Sequence, residues 1–250
     1  MNVNKDVCKM KNKINISQED IMKLLDTCYQ KATGGISKIS PPVSQLAEDY
    51  LSKHSSAQEA TRDMLKKQII KCTTSGFITG FGGAITLPVT IPANIGSVLY
   101  VQMRMIACTA YMAGYDISSD QVQTLVYSCL AGLSLGEVAK QFGVKLGEKV
   151  AEEMIAKIPG KALIKINQKV GFRLFTKFGE KGLINFVKLI PGVGAVINGG
   201  IDLTETKFIA DRAYQMFFNK NFDIGDKLDF VDDVAPSNTD IQETEYSTEI

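Results

Sequence analysis

Hydrophobic positions in this chain recur at helical rather than strand spacing over most of its length. Ser17-Gln-Glu-Asp20 is a near capping box, and it predicts an amphipathic helix that runs to about Lys31 before Gly34-Gly35 closes it. Beyond the turn at Pro41-Pro42, Val43 to Lys53 reads as a second helix. Ser56-Ala-Gln-Glu59 repeats the S-x-x-E signature ahead of a charged helix reaching about Lys71. Ser118-Ser-Asp-Gln opens another, with Val122, Leu125, Val126 and Leu130 at helical spacing. Glu137 to Ile158 keeps the period and stops at Pro159-Gly160. Lys161–Phe178, Gly182–Ile190 and a long stretch from Val193 to Phe218 complete the series, with a break at Pro191-Gly192. No run alternates like a strand between hairpin turn dipeptides. The expected class is all-α.

One segment breaks the amphipathic pattern. Cys72 to Met103 holds no Asp, Glu, Lys or Arg, and Pro88 and Pro92 divide it into Gly76–Leu87 and Ala93–Tyr115. The first arm would be roughly 18 Å long as a helix, short of a hydrocarbon core of about 30 Å. In the second, Ile95, Val98, Leu99, Val101 and Ile106 each favour insertion by about 0.3 to 0.6 kcal/mol, whereas Arg104 opposes it by about 2.5 to 3.5 kcal/mol. Those contributions nearly cancel. The expectation is a multi-helix bundle with a central apolar, Gly/Pro-rich helical hairpin, which is either core, laid into a membrane, or able to switch between the two. The pairs Gly76/Gly80, Gly132/Gly136 and Gly143/Gly147 have the small-xxx-small spacing that lets helix backbones approach closely. Arg104 and Asp202 each interrupt an apolar stretch, so a partner is expected for each: one another, or Asp116 or Asp120 for Arg104. The alternative is that Arg104 reaches solvent along its own stem.

Composition changes this picture at the ends. The 250 residues are 45% hydrophobic and 22% charged, values of an ordinary globular chain. The net charge of +1 gives no overall basic excess, and nucleic acid is not an expected partner. That near-neutrality hides an asymmetry. From Phe222 onward there are nine acids and one base, so the tail carries −8 and the rest of the chain +9. The chain thus divides into three regions: a polar segment and amphipathic helix over 1–42, a helical domain over 43–221, and an acidic tail over 222–250 expected to be disordered. The tail serves solubility, or folds back on the basic body. Met1 to Lys13 is polar, with no apolar run behind its lysines, so a cleaved secretion signal is not expected.

Candidate chemistry is sparse. Five cysteines, odd in number and never C-x-x-C, read as reduced thiols. His54 is the only histidine and reads as a surface helix residue. Gly132-Leu-Ser134-Leu-Gly136 matches the G-x-S-x-G elbow, but a helical stretch precedes it and His54 lies upstream of Ser134, against the chain order that motif needs. Gly192-Val-Gly194-Ala-Val-Ile197 lacks the third glycine of a dinucleotide fingerprint. Glu148, Glu152 and Glu153 stack beside lysines as a solvated face. No catalytic residue, metal ligand or cofactor is expected.

Two blocks of sequence carry a resemblance. Gly76-Phe-Ile-Thr-Gly-Phe-Gly-Gly, Leu87-Pro-Val-Thr-Ile-Pro-Ala, Val101-Gln-Met-Arg-Met-Ile-Ala and Ala113-Gly-Tyr-Asp116 form the first. Val170-Gly-Phe-Arg-Leu-Phe-Thr-Lys-Phe-Gly-Glu-Lys-Gly182, Leu189-Ile-Pro-Gly-Val-Gly194 and Asn198-Gly-Gly-Ile-Asp202 form the second. Together, over roughly Glu48 to Phe218, the chain resembles the EcsC protein family. That family is named for a bacterial operon shared with the two subunits of an ABC exporter, and it supplies no catalytic residues to carry over. The resemblance and the apolar hairpin together give the expected function: a non-enzymatic helical protein on the cytoplasmic side of a membrane, peripheral or partly inserted. Its expected partners are an anionic membrane surface and a membrane protein such as an exporter. The alternatives are a soluble helical interaction module whose hairpin is core, and an unrecognised hydrolase.

Overall fold

The computed structural model describes residues 17–73, 93–140, 155–178 and 198–222. Gly76, Gly80, Pro88, Pro92, the Gly143/Gly147 pair, Glu148, Glu152, Glu153, the Gly182–Ile190 stretch, the Gly192 motif and the acidic tail past Phe222 lie outside the described residues. Within them the chain is helical: α1 Gln18–Gly34, α2 Val43–Leu51, α3 Ala57–Thr73, α4 Ala93–Met112, α5 Asp120–Ala131, α6 Leu135–Lys140, α7 Gly160–Phe178 and α8 Asn198–Phe217. The one β feature among the described residues is an isolated antiparallel bridge between Ile36 and Ser40. The class is all-α, a multi-helix bundle.

Local chemistry sets the helix ends. At α1 the Ser17 hydroxyl accepts from the Asp20 amide at 3.1 Å, while the Asp20 carboxylate accepts from the Ser17 amide at 2.9 Å, a reciprocal capping box. Gly35 ends α1 at φ 77°, ψ 176°, backbone that side-chain-bearing residues avoid, and a Cβ there would lie 2.6 Å from the Ser40 carbonyl oxygen. The Ser56 hydroxyl accepts from the Glu59 amide at the start of α3, and that of Ser119 from the Val122 amide at the start of α5. Gly132 closes α5 in the left-handed conformation. The Gly132/Gly136 spacing therefore straddles a helix end and does not mark one face of one helix.

At the centre lies α4. It packs against α1, α2, α3, α5 and α8, and every residue from Leu99 to Ala110 is buried. A helix segment buried on all sides belongs to a core, so Leu99–Ala110, the middle of the second apolar stretch, is interior of this protein. Among the described residues no helix is long and apolar enough to cross a membrane. Around α4, α8 packs on α3, α4 and α5, and α7 closes the other side against α1, α5 and α6.

Arg104 is buried on α4, 5% exposed, and its Nη1 donates to the Ala32 carbonyl oxygen at 2.9 Å. Ala32 is in the last turn of α1, where carbonyls lack helical partners. The amide four residues on, Ile36, donates instead to Ser40. A cation thus caps the negative end of a helix inside the core. The expected ion pair with Asp116 or Asp120 does not form: both acids are exposed, and Asp116 accepts from the Ser118 amide and hydroxyl. Nor does Arg104 reach water. Asp202 lies on α8 with its side chain outside the described residues.

Candidate functional site

The face of α7 turned away from the core carries the candidate site. Ala162, Leu163, Ile166, Val170 and Leu174 point inward and are buried. At the same helical period, Lys161, Ile164, Lys165, Gln168, Lys169 and Phe172 are exposed. Ile164 and Phe172 are 59% and 62% exposed, high values for large apolar side chains. The basic positions along α7 form an i,i+4 row, Lys161, Lys165, Lys169, Arg173 and Lys177, with Lys157 in the turn before it, and no acid occurs between Lys157 and Lys177. Like charges at that spacing destabilise an isolated helix by a few tenths of a kcal/mol per pair. Here the buried opposite face holds the helix together.

An open groove of about 1240 Å³ runs between this face and the start of α1, lined by Gln18, Glu19, Met22, Leu133, Lys165 and Lys169 among others. Its geometry arises from a close helix crossing. Gly171 lets α1 approach α7: a Cβ there would meet Gln18 Cγ at 3.1 Å and Met22 Sδ at 3.2 Å. The Gln18 side-chain amide then donates to the Gln168 carbonyl oxygen at 2.7 Å, tying the two helices. At the groove's inner edge the Arg173 guanidinium lies against Gly132, 3.4 Å from where a Cβ would stand, at the carbonyl-rich end of α5. The groove is therefore apolar at Met22, Leu133, Ile164 and Phe172, and basic at Lys165, Lys169 and Arg173; its one acid, Glu19, is paired with Lys23 at 2.8 Å. Such a surface suits a partner with negative charge and an apolar body.

The reactive candidates are placed elsewhere and do not converge. Ser134 sits in the loop between α5 and α6, after a helix and not after the strand of a nucleophile elbow. His54 is not on a helix face. It lies half-buried in the bend between α2 and α3, with Nδ1 2.8 Å from the Tyr50 carbonyl oxygen and Nε2 3.4 Å from Asp63. Burial pushes the Cys28, Cys108 and Cys129 thiols up to about 12, which removes the thiolate a nucleophile needs at neutral pH. Among the described residues no group of His, Cys, Asp and Glu is placed to hold a metal ion.

The sequence pattern located the body's positive charge but not this face. The usable signal was the unbroken row of bases four residues apart on a helix that also shows Ile164 and Phe172 outward. Of the singled-out residues, Arg104 proves to be a core contact and Asp116 a turn cap; neither adjoins the groove lining. No curated protein and no solved structure matches the chain. A sequence model of the EcsC protein family matches residues 11–218, beginning well before Glu48 and spanning all the described helices. The chain belongs to the EcsC protein family.

Proposed function

We propose that this chain is a non-enzymatic protein that binds the anionic surface of a membrane from its cytoplasmic side, and acts there as an accessory to a membrane protein such as an exporter. The observation that carries the reading is the exposed face of α7, where Ile164 and Phe172 stand among Lys161, Lys165 and Lys169. Basic residues close to an anionic leaflet contribute about 1 kcal/mol each. Inserting the exposed parts of Ile164 and Phe172 adds roughly 1 to 2 kcal/mol apiece. Neither contribution anchors a protein alone, but together they give weak, reversible attachment, the behaviour of two-signal binding. In this reading attachment runs through an amphipathic helix lying along the surface, a mode supported by the burial of Leu99–Ala110 of α4 as core.

Vesicle co-sedimentation of the full chain tests this. Binding to phosphatidylcholine vesicles containing phosphatidylserine should exceed binding to phosphatidylcholine alone by about tenfold or more, equivalent to ~1.4 kcal/mol, and added salt should erase the difference. Replacing Lys161, Lys165 and Lys169 by Gln should remove the lipid-charge preference. Ile164→Ser with Phe172→Ser should weaken binding while leaving its salt dependence. Equal binding to both vesicle types, or binding that ignores both sets of changes, overturns the proposal. The soluble-module alternative draws on the burial of Leu99–Ala110, and full-length protein that floats free of every vesicle would favour it.

A further inference from the structure

The described chain leaves the bundle beside the groove. The Phe222 carbonyl oxygen accepts from the Leu135 amide at 3.0 Å, and Leu133, two residues away, is part of the groove wall. Beyond Phe222 the chain continues through residues 223–250, with nine acids against the single base Lys227. Its first part, Asp223-Ile-Gly-Asp-Lys-Leu-Asp-Phe-Val-Asp-Asp-Val234, interleaves five aspartates with Ile224, Leu228, Phe230 and Val231. The exposed face of α7 interleaves Lys161, Lys165 and Lys169 with Ile164 and Phe172. The two patterns are complementary in sign and in apolar content.

From this we infer that the acidic segment 223–250 occupies the groove along α7 of its own chain, and so competes with the anionic surface for the same lysines. The inference rests on the reading of that face as the anion-binding surface. Reach is no obstacle. The 28 residues span roughly 90 Å when extended, against about 28 Å for the length of α7. An occupant tethered at the edge of its own site is present at an effective concentration on the order of millimolar, so contacts too weak to hold a separate peptide suffice. Bound to its own tail, the protein has a reduced fraction of free sites, and its apparent affinity for lipid falls by that fraction.

The test uses the full chain with Phe172 replaced by the photo-crosslinking residue p-benzoylphenylalanine, read by mass spectrometry at low salt without vesicles. The expected product joins position 172 to a peptide within 223–250 of the same molecule, and its yield falls when salt or phosphatidylserine vesicles are added. The same residue placed at Ile39, an exposed apolar position outside the groove lining, should give no such product. In an otherwise native chain, changing Asp223, Asp226, Asp229, Asp232 and Asp233 to Asn should tighten binding to anionic vesicles roughly 2- to 10-fold. Leu228→Ser with Phe230→Ser keeps the charge, and in the labelled chain it should also lower the crosslink. Product from Ile39 as abundant as from 172, product only between isotopically distinguishable chains, or no product at all overturns the tail assignment. If the native chain still prefers anionic vesicles in that case, the surface reading stands without the tail. If the crosslink forms but no vesicle binds, the tail is the groove's resident and the membrane reading fails.

Discussion

Arg104 offers the sharpest test of how this core is held, because its hydrogen bond to Ala32 joins two helices through a charge. The perturbation is a pair of substitutions, Arg104→Met and Arg104→Ala. Met keeps an unbranched apolar stem but removes the donor to the Ala32 carbonyl oxygen, while the amide four residues on is already committed to Ser40. A hydrogen bond to a charged group contributes about 1.5 to 3 kcal/mol, and removing the donor leaves a polar atom unsatisfied in the core. Against this stands the relief of no longer holding a cation there. The expected net loss for Arg104→Met is about 2 kcal/mol. Arg104→Ala also deletes the packing of the stem at about 0.8 kcal/mol per methylene and leaves a cavity, which brings the loss to about 4 kcal/mol. Urea denaturation followed by far-UV circular dichroism measures both, provided the dependence on urea stays the same. Asp116→Asn should add to either change within about 0.5 kcal/mol, because Asp116 faces water and caps its own turn. An Arg104→Met protein as stable as the native one refutes the reasoning, as does strong coupling between Arg104 and Asp116.

Two further predictions concern pH. Asp211 on α8 is 2% exposed, and burial raises its pKa, partly offset by hydrogen bonding with the Gln215 side chain one turn on. An acid whose folded pKa is raised loses stability as pH rises through its unfolded value of about 3.9. Asp211→Asn should therefore raise the Tm at pH 7, with a gain that shrinks toward pH 4; an equal or negative effect at neutral pH refutes it. Burial also pushes Cys28, Cys108, Cys129 and Tyr50 up to about 12. Unfolded thiols and phenols titrate near about 8.5 and 10, so stability should fall steadily as pH rises from about 8.5 toward 12. In the native protein at pH 8, those three thiols should stay silent to a thiol reagent until denaturant is added.

Most helix starts and stops were legible because they are set within a few residues. Ser17 with Asp20, Ser56 with Glu59, and the glycine pair after α1 fix ends through short hydrogen bonds and backbone freedom that any neighbouring fold would have to accept, whereas the sequence marks the stop at Gly132 only as a packing position. The all-α class comes from the same local periodicity. The charge asymmetry, +9 against −8, is likewise a property of the chain itself.

Location is what the tertiary structure decided. An apolar, charge-poor stretch satisfies a membrane and a protein interior equally well, since both offer an environment without water. Only the packing of α1, α2, α3, α5 and α8 around α4 shows which of these surrounds Leu99–Ala110. The partner of Arg104 was hidden for a related reason: sequence inspection pairs a cation with an acid, while the helix end at Ala32 presents its negative charge through backbone carbonyls that no side-chain pattern records. The basic row on α7 was visible as letters, but its meaning depended on which side of the helix the bundle leaves outward. That is decided by the burial of Leu163, Ile166, Val170 and Leu174 against neighbours distant in the chain, which turns Ile164 and Phe172 toward solvent beside the lysines.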